Sequence, residues 1–495
     1  MGISVVIRAD ANRQVGYGHL GRCVALAQAA KADGAEVIFV SQCDSDGLRS
    51  TIRGEGFDIL SVESGTDARA TLEHAVESLP ESTWVVLDSY EFERDLVPRL
   101  QRAGRKVLLF DDEGKRHSYS ANIVLNQNVG AEGLTYRAPP SSQLLRGSRF
   151  ALVRQEFLDA APKRRPRKSI PQEILLSLGG SHRTHCLHRL VEAIASVWPS
   201  SVAVAVAGGN IEDDARRIAE ELSPGICVRP IGEPERMASL MANADLGVIG
   251  GGTTCWEMAY MGVPFLAVVL ADNQARIVEE LVQRGVALSL GTDRELTSES
   301  ASQQFARVIG QPDLLDDMRA KGRELVDGHG GARVSMWLHE RRLWLRPVDT
   351  EDGELLWRWA NDEETRAQSF SSEMIPWDDH EKWMDERLNN SNCKLWIAVD
   401  PCEAPIGQIR FDRAGDVARV SVSISPEHRG RGYASELIRI ASERILRECW
   451  ARAVLAEIKA TNRRSIAAFS AAGFDVDGTQ TTEDRNVEVV VLKGG

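Results

Sequence analysis

Short apolar runs alternate with amphipathic stretches from the first residues onward. ISVVIRAD (3–10), EVIFVSQ (36–42), WVVLDSY (84–90) and KVLLFDD (106–112) are apolar on both faces and rich in Val, Ile and Leu. That pattern belongs to buried parallel strands. Residues 19–32 and 91–103, lying between them, have helical spacing. Strand and helix in alternation predict a doubly wound sheet over residues 1–160. The pattern restarts with EILLSLGG (173–180), VAVAVAGG (202–209), ADLGVIGGG (244–252) and VPFLAVVL (263–270), each followed by a helical segment. A second α/β half is therefore predicted over 172–335, joined to the first by the basic stretch APKRRPRKSIP (161–171). From Leu343 the order changes. A strand LWLRPVD precedes helices over 351–390, then strands KLWIAVD, IGQIRFD and ARVSVSI, a helix over 434–448, a strand AVLAEIKA, a helix over 462–472 and a last strand NVEVVVLKG. The alternation in ARVSVSI reads as a largely antiparallel sheet with one exposed side, so 343–495 is predicted to be α+β.

Composition narrows the function classes. With 495 residues, 43% apolar and 26% charged, the chain is an ordinary globular one with room for two to four domains. A net charge of −13 argues against general nucleic-acid or membrane-surface binding, since both need clustered positive charge. In so acidic a chain the basic stretch at 161–171 reads as a solvated linker rather than a nucleic-acid patch. Eight cysteines without CxxC or CxxH spacing read as reduced thiols and supply no zinc site. MGISVVIRAD lacks the long apolar core of a signal peptide. The expectation is a cytoplasmic protein with no metal, nucleic acid or membrane partner.

Four loops carry chemistry. In the first, an apolar run ends at Asp10, and Gly16-Tyr17-Gly18 precedes a helix opening at His19. Glycines let backbone N–H groups approach an anion, and a helix N-terminus favours negative charge. An imidazole there can move a proton beside phosphate; packing or capping would account for it equally well. The second is IGGGTTCWEMAYMGVP (249–264), where Gly251 and Gly252 precede Thr253 and Thr254, and Glu257 falls in the first helical turn. Helix capping explains Thr and Glu, whereas three glycines call for close approach of a ligand. The lysine of a P-loop is missing; a diphosphate on the amides with Glu257 accepting from ribose fits. SLGGSHRT (177–184) is a similar turn. The third, SPEHRGRGYASELI (425–438), holds Arg429-Gly430-Arg431-Gly432-Tyr433-Ala434, an R-x-x-G-x-A pattern between a strand ending at Ile424 and a helix. Its amides would receive a pyrophosphate. The fourth, AEIKATNRRSIAAFSAAGF (456–474), spaces Asn462, Ser465 and Phe469 along one helix.

The third and fourth loops resemble the GNAT acetyltransferase superfamily, over about 343–495. The resemblance implies acetyl-CoA as cosubstrate, bound by the 424–434 loop with Asn462, Ser465 and Phe469, and Glu457 as a base acting through water. LLWRWANDEETRAQSF with HEKW (380–383) resembles the W-x-N-D-x-x-x-R segment of its amino-sugar and ribosomal-protein branches. Many members place a proton-donating tyrosine where Phe469 stands, and a phenyl ring has no proton to give. Residues 1–335 resemble the UDP-2,4-diacetamido-2,4,6-trideoxy-β-L-altropyranose hydrolases of pseudaminic acid biosynthesis, in Arg8-Ala9-Asp10-Ala11, Gly16 through His19, Arg22-Cys23, LDSY (87–90), LNQN (125–128), GGGTTCWE and DNQ (272–274). Where that family often has an acidic residue, Ser181-His182 stand. This likeness implies a GT-B-like pair of Rossmann-type domains and a UDP-amino-sugar substrate. It implies His19 as the catalytic base, with Tyr90 and Asp88 positioning the sugar or tuning His19. Gly16, Tyr17, Gly18, Asn126, Gly251, Gly252, Thr253, Thr254, Glu257, Asn273 and Gln274 would line the nucleotide-sugar site. The resulting reading is a bifunctional enzyme that N-acetylates a UDP-amino-deoxysugar and then hydrolyses off UDP. A glycosyltransferase fused to an acyltransferase, and a third unit that only binds or scaffolds, stay open.

Overall fold

A computed structural model describes residues 3–11, 17–62, 68–77, 79–88, 95–115, 120–161, 170–179, 184–198, 202–207, 226–231, 237–481 and 488–494. The chain divides into two compact units, residues 1–31 with 35–334, and residues 32–34 with 335–495.

The first unit opens with β1 (Ser4–Ala9), α1 (Gly18–Ala32), β2 (Glu36–Ser41), α2 (Asp46–Gly54), β3 (Asp58–Ser61), α3 (Ala68–Glu77), β4 (Trp84–Asp88), α4 (Leu96–Arg102), β5 (Lys106–Phe110), β6 (Ile123–Asn126), β7 (Gln143–Arg146) and α5 (Gln155–Ala160). Its seven strands form one parallel sheet in the order β3-β2-β1-β4-β5-β6-β7. Val5, Val6, Ile7, Val85, Val86 and Leu87 are all but fully buried, which is why these strands read as apolar without alternation. Burying one such side chain contributes about 1.5–3 kcal/mol. The strand order reverses between β1 and β4. At such a switch point the loops leaving the carboxyl ends of the two strands turn opposite ways and open a crevice.

The same unit continues with β8 (Glu173–Ser177), α6 (Thr184–Val197), β9 (Val202–Ala207), β10 (Ile226–Ile231), α7 (Met237–Asn243), β11 (Leu246–Gly250), α8 (Thr254–Met261), β12 (Phe265–Val269), α9 (Asp272–Gln283), β13 (Ala287–Thr292), α10 (Ser298–Gly310) and α11 (Pro312–Leu325). These six strands also run parallel, in the order β10-β9-β8-β11-β12-β13, with the switch between β8 and β11. The apolar pattern identified β1, β2, β4 and β5 in the first half and β8, β9, β11 and β12 in the second. It passed over β3, β6, β7, β10 and β13, which are short or carry polar residues. α12 (Gly330–Leu338) starts in this unit, and its first turn returns to the first half. Arg333 Nη1 donates to the Arg149 carbonyl at 2.9 Å. A Cβ on Gly330 would fall 2.1 Å from the Ala151 carbonyl oxygen, so only glycine fits.

The second unit holds β14 (Trp344–Pro347), α13 (Gly353–Ala360), α14 (Glu363–Gln368), α15 (Trp377–Leu388), β15 (Cys393–Val399), β16 (Pro405–Ala414), β17 (Val417–Ile424), α16 (Tyr433–Arg447), β18 (Ala453–Lys459), α17 (Arg463–Ala471), β19 (Asp475–Thr481) and β20 (Glu488–Gly494). The sheet order is β14-β15-β16-β17-β18-β20-β19. Every neighbouring pair is antiparallel except β17 and β18. β19 is an addition to the sequence reading, which had a single strand after α17. Its DVDGTQT carries no apolar alternation. Leu437, Ile438, Ala441 and Ile445 of α16 are buried in one core with Ile409, Phe411, Ala418, Val454 and Ala456 of the sheet. The parallel pairing of β17 with β18 runs only from Val417↔Ala453 to Arg419↔Leu455. Both strands continue past it, so the sheet splits into a wedge between 420–424 and 456–459.

Candidate functional site

α1 leaves the carboxyl end of β1, and Asp88 is the last residue of β4. Because β1 and β4 are neighbours, His19 in the first turn of α1 meets Asp88. His19 Nδ1 lies 2.7 Å from Asp88 Oδ1. Arg22, one turn further, donates Nε to Asp88 Oδ2 at 2.7 Å and Nη2 to Oδ1 at 2.6 Å. Its other edge donates to Asp112, Nη1 to Oδ1 at 2.9 Å and Nη2 to Oδ2 at 3.0 Å. Asn128 Nδ2 adds a bond to Asp112 Oδ1 at 2.8 Å, and the Phe110 ring lies under the guanidinium at 4.5 Å.

Burial alone would raise the Asp88 carboxyl. The Arg22 charge and His19 outweigh it and hold Asp88 well below the usual carboxylate range. Nδ1 also lies 3.2 Å from Arg22 Nη2, which only donates, but the carboxylate at 2.7 Å is the shorter contact. With Nδ1 as the donor to Asp88 the lone pair stands on Nε2, the tautomer a general base needs. The His19 side chain is 11% exposed, against 1% for Asp88 and 4% for Arg22, so solvent reaches this chain of groups at the imidazole. Burial would lower Arg22, but Asp112 and Asp88 raise it well above its ordinary value. Cys23 Sγ is 3.5 Å from Asp88 Oδ2, and burial with that carboxylate pushes the thiol far up. It stays protonated and is no nucleophile.

Other predicted residues of this half divide. Gly16 and Tyr90 lie outside the described residues, as does the Ser181-His182 turn. Tyr17 donates to Asp44 Oδ1 at 3.3 Å. A Cβ on Gly18 would stand 3.0 Å from Thr253 Oγ1, so the first loop touches the glycine loop of the second half. Asn126 requires a correction. It is fully buried, its Nδ2 donates to Tyr136 Oη at 2.8 Å, and its Oδ1 accepts from the Asn128 amide at 2.9 Å. Both ends are used inside the protein, so Asn126 shapes the turn that presents Asn128 to Asp112 and does not reach a ligand.

The glycine loop follows β11, at the switch point of the second sheet. Two of its three glycines are closely packed. A Cβ on Gly250 would meet Leu270 Cδ1 at 2.7 Å, and one on Gly251 would meet Val278 Cγ2 at 2.5 Å. Gly252 has room, its nearest neighbour being Gln274 Nε2 at 3.7 Å. Thr253 occupies the N-cap position of α8 but its side chain caps nothing, so capping does not account for the Thr253-Thr254 pair. Gln274 Oε1 accepts from the Leu270 amide at 3.0 Å, and Asn273 is exposed beside it. Glu257 Oε1 is held by Arg154 Nε at 3.1 Å and Nη2 at 3.0 Å. Burial raises the Glu257 carboxyl above its ordinary value, partly offset by Arg154.

In the second unit the loop between β17 and α16 turns on Gly430 and Gly432, with φ of 75° and 80°. Only glycine adopts these values without strain. Arg342 grips the loop, donating Nη1 to the Arg431 carbonyl at 3.1 Å and Nη2 to the Gly432 carbonyl at 3.3 Å. In a trans peptide N–H points opposite to C=O, so this grip turns the Gly432 and Tyr433 amides away from Arg342. Glu436 Oε2 holds Arg342 Nε at 2.9 Å, and the Tyr433 ring lies 5.0 Å from the guanidinium. Arg431 is exposed and Ala434 sits in the first turn of α16. The Arg429 guanidinium is used internally. It donates to the Ile424 carbonyl at 3.2 Å, to Glu364 Oε2 at 3.0 Å, to Thr365 Oγ1 at 2.9 Å and to Asp362. Its side chain therefore ties the loop to α14, and only its backbone is left for a ligand.

Glu457 lies on β18 with Arg419 Nη2 at 3.6 Å. Asn462 caps α17, Oδ1 accepting from the Ser465 amide at 3.1 Å, which explains the spacing of that pair structurally. Phe469 is 2% exposed in the sheet–helix core, edge-on to Phe474 at 5.1 Å; packing accounts for it.

Sequence reasoning missed Asp112, Arg154 and Arg342, which are recruited by strand neighbours or chain segments far apart in sequence. The W-x-N-D-x-x-x-R pattern was a usable signal for a fourth group. Asn361 brackets Ile375 through bonds of 2.8 and 3.0 Å. Asp362 caps α14 and holds Arg429, and Arg366 donates to the Ala360 carbonyl at 2.6 Å. Among the described residues no group of His, Cys, Asp and Glu could hold a metal ion, and no helix is long and apolar enough to cross a membrane.

Comparison with known proteins bears on both units. Residues 342–475 match the family described as the acetyltransferase (GNAT) domain, and residues 174–327 the glycosyltransferase family 28 C-terminal domain. An uncharacterised protein of Methanocaldococcus jannaschii is 20% identical over 490 residues, 95% of this chain and 96% of that one. The spore coat polysaccharide biosynthesis protein SpsG of Bacillus subtilis is 24% identical over 238 residues, 48% of this chain and 69% of its own. The UDP-2,4-diacetamido-2,4,6-trideoxy-β-L-altropyranose hydrolase of Campylobacter jejuni is 23% identical over 286 residues, 57% of this chain and 97% of its own. Among solved structures, spermidine N-acetyltransferase of Vibrio cholerae with CoA and spermine aligns over 31% of this chain and 95% of its own, at 18% identity and a TM-score of 0.29.

Proposed function

From a chain that joins parallel-sheet Rossmann-like domains to a GNAT acetyltransferase domain, we propose a bifunctional enzyme of pseudaminic acid biosynthesis. Residues 343–495 transfer the acetyl group of acetyl-CoA to the 4-amine of UDP-4-amino-4,6-dideoxy-N-acetyl-β-L-altrosamine. The halves 1–160 and 172–335 hydrolyse UDP from the resulting 2,4-diacetamido sugar. The observation that carries the reading is the Asp88–His19 pair at the β1–β4 switch point, at 2.7 Å, in a loop that touches Thr253. The named hydrolase of C. jejuni, 97% of which aligns with this chain, supports the choice of substrate.

In the hydrolytic step water attacks the anomeric carbon, its proton passes to His19 Nε2, and the bond to the diphosphate oxygen breaks with its electron pair leaving on UDP. Asp88 stabilises the imidazolium that forms. The amides at the start of α8, next to Gly252, suit the anionic diphosphate, and Glu257, oriented by Arg154, suits the ribose hydroxyls. In the acetyl transfer the amine nitrogen attacks the thioester carbonyl and the thiolate departs. The loop amides turned outward by Arg342 suit the pyrophosphate, and the wedge between β17 and β18 suits the pantetheine arm. Glu457 takes the amine proton through water, and water meets the thiolate, since Phe469 is a core residue without a proton to give. Acetyl-CoA as cosubstrate and eight cysteines in no disulfide fit a cytoplasmic setting.

The test supplies the full chain with the UDP-4-amino-sugar, with and without acetyl-CoA, and follows free CoA, free UDP and the sugar products by NMR. CoA release followed by UDP release, yielding a free 2,4-diacetamido sugar, is expected. The glycosyltransferase family 28 match over 174–327 favours one second reading, a glycosyltransferase. UDP release that waits for an acceptor sugar would establish it in place of the hydrolase.

A further inference from the structure

Two polar oxygens on the sheet of the second unit have no partner among the described residues. Gln408 of β16 and Ser423 of β17 stand directly opposite in the antiparallel register. Gln408 Oε1 and Ser423 Oγ are buried, and no group among the described residues hydrogen-bonds either atom. Buried polar atoms are nearly always bonded, and an isolated exception calls for an explanation. Two exceptions facing each other across a strand pair, where an apolar pair would pack at no such cost, call for one more strongly.

Their surroundings limit what they serve. Along β17, Arg419, Ser421 and Ser423 alternate onto one face. Arg419 reaches Glu457 at 3.6 Å, so Glu457 of β18 lies on that face too. Ser423 sits beyond Arg419, the last β17 residue paired with β18, in the stretch that borders the wedge. Other charged groups there are engaged. Arg410 is held by Asp412 Oδ2 at 2.8 Å over the Trp383 ring at 5.4 Å. Lys459 donates to the Ala367 carbonyl at 3.0 Å. The unpaired oxygens thus stand on the side of the sheet from which an amine must approach Glu457.

The geometry points to Gln408 and Ser423 as the subsite that reads a secondary amide on the acceptor, a specificity contact for the acetyl transfer. The inference rests on the reading of this unit as a sugar N-acetyltransferase. A glutamine carbonyl oxygen only accepts, while a serine hydroxyl also donates. An amide offers the matching pair on two separate atoms, N–H to Gln408 Oε1 and C=O to Ser423 Oγ. A hydroxyl group has a single atom with which to bridge two strands. On the proposed substrate the only secondary amide outside the nucleotide is the 2-acetamido group, two carbons from the amine that reacts.

The test measures steady-state CoA release by the full chain on UDP-4-amino-4,6-dideoxy sugars bearing either a 2-acetamido or a 2-hydroxyl group. Gln408→Leu and Ser423→Ala should each raise KM for the acetamido sugar roughly tenfold. KM for acetyl-CoA should stay unchanged and Tm should be equal or higher, because an unpaired buried oxygen has been removed. Gln408→Glu and Ser423→Thr, which keep the oxygens, should recover part of the loss. The 2-hydroxyl sugar should be a poor substrate for the wild type and indifferent to the substitutions. An active wild type whose variants leave the acetamido KM unchanged, or whose Tm and acetyl-CoA KM worsen together, overturns the subsite alone. A wild type inert on every amino-sugar overturns the substrate reading and this inference with it.

Discussion

His19 and Asp88 show how much one contact decides. If Asp88 fixes the tautomer of His19, Asp88→Asn should lower UDP release by about 100-fold or more, the scale of a lost general base. His19→Ala should do the same, and both should leave CoA release intact; a coupled UDP assay beside a thiol assay checks this. Asp88 also sets a sign for acid stability. Its carboxyl titrates lower in the folded chain than the ordinary value of about 3.9. The contribution is therefore complete above about pH 4 and lost as pH falls through the folded value. Unfolding midpoints measured on acidification should fall more steeply for wild type than for Asp88→Asn. Phe469 carries a different prediction. Being a 2% exposed core ring, its replacement in Phe469→Ala should cost about 3–5 kcal/mol of unfolding free energy, read by urea denaturation of the second unit. The place of His19 in the first turn of a helix was legible in the sequence, because a helix start after glycines is a local signal; its role was implied by the family resemblance alone. Asp88 was singled out by the family resemblance, as positioning the sugar or tuning His19, but nothing local announced that Arg22 would join it to Asp112. Asn126 misled because a motif match carries no information on burial.

At the level of elements, the loop between β17 and α16 is defined by two left-handed glycines and one arginine. Gly432→Glu imposes strain at φ 80° and adds a negative charge beside the amides that would receive a pyrophosphate. Acetyl-CoA binding by calorimetry should vanish, while UDP release from an already acetylated sugar persists. Gly432 could be read from R-x-x-G-x-A, and Gly430 from the sequence beside it. Arg342 could not, because its reach to the Arg431 and Gly432 carbonyls depends on where β14 starts in the folded unit. The triple glycine of the second half teaches the converse. It looked like a ligand signature, yet Gly251 is crowded by Val278 and the Gln274 Cβ, so packing already accounts for one glycine of the three, while Gly252 retains room. Apolar runs named the central strands because burial on both faces writes itself into composition. β3, β6, β7 and β19 escaped because short or edge strands need no such run.

For the whole molecule the proposal makes the two reactions consecutive, and an order can be measured. A 4-amine is largely an ammonium ion near neutral pH, whereas the 4-acetamido group is neutral with one donor and one acceptor. A hydrolase pocket matched to the acetamide leaves buried groups unpaired against the amine, at about 1–3 kcal/mol each. With acetyl-CoA withheld, kcat/KM for UDP release should favour the acetylated sugar roughly tenfold or more; equal values would show that the pocket ignores the 4-substituent. The start of α12 sets a boundary of another kind. The glycosyltransferase-type match ends at residue 327, but Gly330 and Arg333 seat on Ala151 and Arg149 of the opposite half. A gene fusion or recombination event that spliced at the edge of the recognisable domain would cut away the clasp that belongs to its partner. Crossovers that leave a working enzyme should therefore fall after residue 334, so that the two halves of the first unit are inherited together with the short segment that follows them.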